Sequence, residues 1–292
     1  MSRRYLIINA DDFGICQETN EAIEHLFNEE RITSTTVITP ANASLDAIDR
    51  AKNNKKIKMG LHITLNSDHP YDRWDSIAPA LEVSSLLDEE GKFHHELSRF
   101  YSRAKDNEVA IEINAQYDYV ASQGYKPTHA DSHCGTLYGL TGKPFIKEAF
   151  ELCARHGLPF RLPKSKDFMI ERFRGQVPPE IEAMHSQAIS AAGKMGIALP
   201  DDIITSPFGV KDIKAYENLK AFYINIIRNL KEGVTELFLH PSKENRMFMS
   251  HNPEWQKRIW EYQFLLDDDM LKAIEQEGVS LVGWTDAPFK SV

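Results

Sequence analysis

The chain predicts an α/β fold, an irregular (β/α) barrel, and three observations carry that expectation. Strand-like and helix-like segments alternate along its 292 residues, the pattern of strand–helix units joined by right-handed crossovers. Several strand candidates are continuous apolar runs, as parallel strands buried on both faces are. The residues able to do chemistry fall at or near the C-terminal ends of those runs, where barrel enzymes keep their catalytic groups. A nucleotide-binding doubly wound sheet lacks support, because no GxGxxG or GxxxxGK[ST] sequence follows the first strand.

In order along the chain, the apolar run Tyr5–Ile8 marks a strand over 5–9, and a helix is expected at about 17–29. A strand over 34–39, a helix over 44–53 and a strand over 58–65 continue the alternation. Residues 66–106 interrupt it, holding His69, Trp74, Pro79, His94 and His95 without a strong strand. A helix over 107–123, a strand over 128–133, a helix over 143–156 and a strand over 159–162 follow. A second interruption, 163–200, is rich in Pro, Arg and Phe around one helix at 180–193. The remainder reads as a strand over 203–205, a helix over 213–230, a strand over 234–239, a helix over 255–276 and a strand over 279–282. The helices carry an apolar stripe with charge opposite, as Ala215, Leu219, Phe222, Ile226 and Leu230 do. With no repeat, low-complexity tract or linker, residues 1–292 are expected to form a single domain. Its insertions near 66–106 and 163–200 are expected to shape a substrate cleft. Trp74 and Phe168 are the aromatic candidates for stacking on a ring of the substrate.

Composition limits the partners. Hydrophobic residues at 42% and charged residues at 26% describe an ordinary soluble protein. The net charge of -9 argues against a general nucleic-acid binder, whose footprint is basic, and against docking on anionic lipid. Cys16, Cys134 and Cys153 show no CxxC spacing, which speaks against a disulfide framework or a thiolate zinc site and suits a reducing compartment. The N-terminal apolar run is too short for a signal sequence or a membrane span. The expected location is cytoplasmic, with no nucleic-acid or membrane partner. The oligomeric state stays open, a homodimer included.

The chemistry starts at Asp11-Asp12, directly after the first strand. Alone, an Asp-Asp pair before a helix is a turn or an N-cap. Adjacent carboxylates repel, however, and keeping both ionised calls for a cation, most simply a divalent metal. Other apolar runs end in His62, in Asp131 and His133, in Arg161 and in His240. A hydrolytic metal site needs about three protein ligands and an open position for water. Asp12, His62 and His133 can supply them, leaving Asp11 as the base for the attacking water. His240 can serve as the acid that protonates the leaving group, and Arg161 can hold Asp11 ionised and oriented. Taken singly, each histidine is as well read as a hydrogen-bonded structural group, and Arg161 as a salt-bridge partner. Asp131 is expected to stand behind a ligand, Cys134 to point away and pack, and His129 to sit below the metal. His25, His156 and His185 fall in helical segments and read as surface or core residues, and Asp201-Asp202 as an ordinary turn.

The segments LIINADDFG (6–14), TSTTVITP (33–40), GLHITLN (60–66), THADSHCGTLYG (128–139), PFRLP (159–163) and ELFLHPS (236–242) resemble the YdjC-like family of carbohydrate deacetylases, which includes the chito-oligosaccharide deacetylases. The resemblance covers nearly the whole chain. It implies an irregular TIM-like (β/α) barrel of the glycoside hydrolase/deacetylase type, an Asp-His-His divalent site on Asp12, His62 and His133, and Asp11 as catalytic base. By looser analogy it makes His240 the acid. Some members carry a further histidine two residues after the DSH histidine; this chain has Gly135 there, which puts a sugar contact in doubt.

The expected activity is metal-dependent removal of an acetyl group from an N-acetylated amino sugar or short (chito-)oligosaccharide. The cofactor is one divalent ion, zinc or magnesium. An Asp-His-His set suits zinc by softness and does not exclude magnesium or manganese. The alternatives are another metal-dependent amidase or phosphoesterase on the same barrel, and a catalytically silent sugar-binding protein. A closed structural zinc site is disfavoured, since it would need four ligands, often cysteines.

Overall fold

The apolar run at the N-terminus becomes the central strand. In the computed structural model, which describes residues 3–140, 142–173 and 175–290 apart from the side chains of Glu171 and Arg172, β1 spans Arg4–Phe13 and is buried from Leu6 onward. The other strands are β2 (Ser34–Val37), β3 (Met59–Ile63), β4 (Ala130–Ser132), β5 (Asp202–Ile204), β6 (Gly233–Leu239) and β7 (Ser280–Leu281). They pair in parallel in the order β4-β3-β2-β1-β6-β5. β6 takes one edge of β1 from Arg4 to Ala10. The opposite edge is shared, with β7 at Tyr5 and Leu6 and β2 from Asn9 onward.

The sheet curls into a half-barrel surrounded by helices, so the barrel expectation holds in class but not as a closed ring. The expected strand over 159–162 contributes one bridge, Phe160 to Ala130. Pro159 and Pro163 flank it, and proline cannot donate to a ladder. The expected helices form at Gln17–Asn28, Ser44–Asn53, Asp106–Ser122, Ile146–His156, Pro179–Lys194 and Tyr216–Arg228. The long helix expected over 255–276 is two, Trp255–Leu266 and Asp268–Gln276. Between them the Asp267 side chain accepts from Asp269 N and starts the second. The insertions fold locally, with short helices at Leu97–Arg103 and Asp167–Arg172. No described helix is long and apolar enough to cross a membrane.

A continuous apolar core lies between sheet and helices, and a small satellite of Ile7, Val234 and Trp284 lies on the other face of β1. Trp284 stacks on buried His129 at 4.6 Å between ring centroids. The His129 ring in turn fills the space over Gly60, where an added Cβ would lie 2.5 Å from it. Gly60→Ala is therefore expected to destabilise the protein by about 1–3 kcal/mol, the range for overpacking a close-packed site. Urea denaturation checks this, and an unchanged midpoint would show that the His129–Trp284 pair yields freely.

Candidate metal centre

Side chains alternate across a regular strand, so adjacent aspartates should face opposite ways. The register of β1 against β2 shifts between Ala10 and Phe13, which places Asp11 and Asp12 in a bulge, a device that re-aims side chains. Asp12 adopts φ 68°, a left-handed conformation that is strained for a residue with a Cβ and concentrates at functional sites. Gly14 then turns the chain at φ 101°, passing so close to Ser44 that a Cβ would lie 2.9 Å from its Cα. Both carboxylates consequently open into one cleft of about 370 Å³, shared with His62, Asp68, His133, Cys134, Arg161, His240 and Arg258.

Asp12 Oδ1 is buried and has no hydrogen-bond partner among the described residues. It faces His62 Nε2 at 3.3 Å and His133 Nδ1 at 3.6 Å. Donors bound about 2.0–2.2 Å from a common ion lie roughly 3–3.6 Å apart, so these three atoms fit a shared divalent cation. The far nitrogens carry the supporting evidence. His62 Nδ1 meets Asp131 Oδ1 at 2.5 Å, and His133 Nε2 meets Asp68 Oδ1 at 2.7 Å. A carboxylate behind each imidazole fixes its tautomer and orientation for ligation. Asp131 stands behind His62, across the β3–β4 pairing. Asp11, His62 and Asp131 also offer donors within reach of one ion, but there both carboxylates are already engaged by Arg161.

Arg161 is buried among three carboxylates. It donates to both oxygens of Asp11 at 2.7 Å, to Glu236 at 2.8 Å through two nitrogens, and to Asp131 at 2.8 Å. Burial alone would raise the Asp11 pKa, but Arg161 outweighs it and brings the group to about 2. Burial dominates at Glu236 despite Arg161 and lifts it to about 7. Burial favours the neutral form of Asp12, but Arg258, 2.6 Å from Oδ2, acting together with His133 and His62 holds it well below the usual carboxylate range. Five carboxylates (Asp11, Asp12, Asp68, Asp131, Glu236) thus face two guanidiniums, an excess of three negative charges when all are ionised. The imidazoles respond: burial opposes charge on His62, yet Asp131 and Asp12 push it up to about 9, and His133 is raised well above its ordinary value.

This has a measurable consequence. Ligation requires neutral imidazole, so a cation entering near pH 7 must displace the protons on both histidines. Binding is expected to release about two protons per ion and to tighten as pH rises toward 9. Calorimetry in buffers of different ionisation enthalpy checks it; binding without proton release would remove His62 and His133 as ligands.

Two expectations need correction. Cys134 does not pack away from the site. β4 ends at Ser132, the chain turns with Cys134 at φ 50°, and strand alternation no longer applies. Its exposed thiol lies 3.4 Å from His133 Nε2 and 3.4 Å from Asp68. Trp74 is 1% exposed and packs behind the His133 ring at 5.6 Å, so it buttresses a ligand candidate and offers no face to a sugar. Phe168 does line the cleft. His240 sits just beyond β6, partly exposed, with Nε2 3.9 Å from Asp11 Oδ2. Of the other histidines, His25 bonds Tyr262, His185 bonds Pro163 O and His156 stacks on Tyr117. Asp202 opens β5, while Asp201 accepts from Val234 N.

Comparison with known proteins agrees with this architecture. A carbohydrate deacetylase of Thermoanaerobacter pseudethanolicus is 25% identical over 97% of this chain and 98% of its own length. A chitooligosaccharide deacetylase of Yersinia enterocolitica is 26% identical over 97% of this chain and 99% of its own. A solved structure from Enterococcus faecalis, described as a cellobiose-phosphate cleavage protein, superposes with a TM-score of 0.76 at 24% identity, covering 97% of this chain and 98% of that one. The family model for YdjC-like protein matches residues 5–276, a span that takes in the bulged aspartates, both imidazoles and every other group of the cleft, and the chain belongs to the YdjC-like family.

Proposed function

We propose that this protein is a divalent-metal-dependent carbohydrate deacetylase acting on an N-acetylated amino sugar or short oligosaccharide. The observation that carries the reading is the unpartnered Asp12 Oδ1 facing two imidazoles, each backed by a carboxylate. The reaction class rests on the family and on the relatives named as deacetylases. Asp12, His62 and His133 would hold the ion, zinc or magnesium. When bound it supplies Lewis acidity toward the amide carbonyl and lowers the pKa of water.

The remaining steps belong to the chain. Asp11 takes the proton of the attacking water. Its carboxylate is a weak base, so its contribution comes from fixed position: Arg161 grips both oxygens, and Asn9 Nδ2 donates to Oδ1 at 2.7 Å. His240 delivers a proton to the departing amine. Its backbone N–H donates to Glu261 Oε2 at 2.7 Å, which anchors the end of β6, and its partly exposed ring can meet a substrate. The cleft includes Asp68 from the first insertion and Phe168 from the second, which supports reading both insertions as substrate-shaping parts of one domain.

The test of this reading is metal analysis of the purified protein alongside acetate release from N-acetylated sugars and from unrelated amides and phosphoesters. Acetate release from no sugar would overturn it. The acid role has its own check. His240→Ala is expected to bind metal normally, to lose about 10²–10⁴-fold on amides, and to keep far more activity on an activated acetyl ester, whose leaving group needs no proton. Equal losses on both would assign His240 to oxyanion binding.

A further inference from the structure

The geometry points to a second cation site at the cleft mouth, formed by Asp68, His133 Nε2 and the Cys134 thiol and selective for a soft divalent ion such as zinc or cadmium. Asp68 Oδ1 lies 2.7 Å from His133 Nε2, and Cys134 Sγ lies 3.4 Å from each of them. Cys134 stands at donor spacing from both, the Asp68–His133 contact is a hydrogen bond whose proton an ion would replace, and the three groups are close enough to share one ion. The Asn66 side chain reaches the same thiol. Asn66 is 2% exposed, and its Oδ1 has no hydrogen-bond partner among the described residues. A thiolate, an imidazole and a carboxylate together select zinc-like ions over magnesium.

The two sites meet on one ring. His133 offers Nδ1 toward Asp12 and Nε2 toward Asp68 and Cys134. With ions on both nitrogens His133 would bridge them as imidazolate: an ion at the mouth displaces the Nε2 proton shared with Asp68, the thiol loses its own, and both protons pass to solvent. The excess of negative charge in the cleft favours the added cation. The donors differ in access: Asp12 is buried, whereas Cys134 is exposed, so this set lies on the solvent side of the cleft. Zinc above one equivalent is accordingly expected to occupy the mouth and to block substrate entry.

The inference shares His133 with the proposed catalytic centre, and its test separates the two. Cadmium is titrated into the metal-free full chain, reading bound equivalents and the ultraviolet absorption of cadmium thiolate. Wild type should bind about two ions with the thiolate band. Cys134→Ser should bind about one without it, and Asp12→Ala about one with it. One ion and no thiolate band in wild type overturns the mouth site and leaves the catalytic centre standing. One ion with a band that survives Asp12→Ala overturns the catalytic centre instead. No stoichiometric binding overturns both.

Discussion

Alanine at His133 is expected to abolish stoichiometric binding of the catalytic ion and, with it, hydrolysis of the amide. Three protein ligands leave no redundancy, and the same outcome is expected for Asp12→Ala and His62→Ala. The loss should exceed the roughly 10–100-fold that removal of an outer partner causes in metal proteins. The fold should survive, for reasons visible around each site. Asp131 keeps Arg161 and Thr36 when His62 is gone. Removing His133 leaves Trp74 held by the bond from its backbone N–H to Ser67 Oγ. Removing Asp12 leaves the strained φ of 68° to a residue no better suited to it, so some stability is lost there. Equilibrium dialysis with an unchanged circular dichroism spectrum is the measurement. A His133→Ala protein that binds one ion with wild-type affinity at the Asp12 side would remove it from the ligand set.

How much of this was legible in the sequence follows from where each group lies. Asp12, His62, His133, Arg161 and His240 each close an apolar run, and a parallel sheet brings such run ends to one edge; the rule needs no tertiary detail. The pairing of Arg161 with Asp11 followed from charge. Glu236 gave a weaker signal, as a carboxylate inside the buried run of β6. Arg258 gave none: it stands among Gln256, Lys257 and Ile259 on an ordinary helix, and only tertiary packing turns it toward Asp12. Asp68 lies in a segment without periodicity, where neither strand nor helix rules place a side chain. Cys134 was misplaced because alternation was extended two residues past the end of β4. Trp74 was misplaced because an aromatic in an insertion can face either way. The Ser67 to His94 backbone bond folds that insertion onto the core and buries the ring. The bulge that turns both aspartates into the cleft is likewise a pairing irregularity, set by β2 rather than by β1 alone.

Asp11→Asn is expected to keep the metal and lose about 10²–10⁴-fold in kcat, the range for removal of a general base. The change preserves shape and removes one negative charge next to Arg161. The guanidinium stays paired with Asp131 and Glu236, so the side chain that organises the floor of the cleft remains in place. The amide still offers one acceptor to it but turns a donor toward the other N–H, which loosens a bidentate grip. The pH dependence separates this electrostatic effect from catalysis. The folded-state pKa of Asp11 is lowered from 3.8 to about 2, so its stabilisation is fully present above the unfolded value and disappears as pH falls through about 2. The variant should therefore lose some stability near neutral pH and differ little from wild type in strong acid. The deficit in kcat should persist wherever the protein is folded and metal-loaded, because the group removed is ionised across that range. A variant with near-wild-type kcat and full metal occupancy would take the base role away from Asp11 and leave it as the anchor of Arg161.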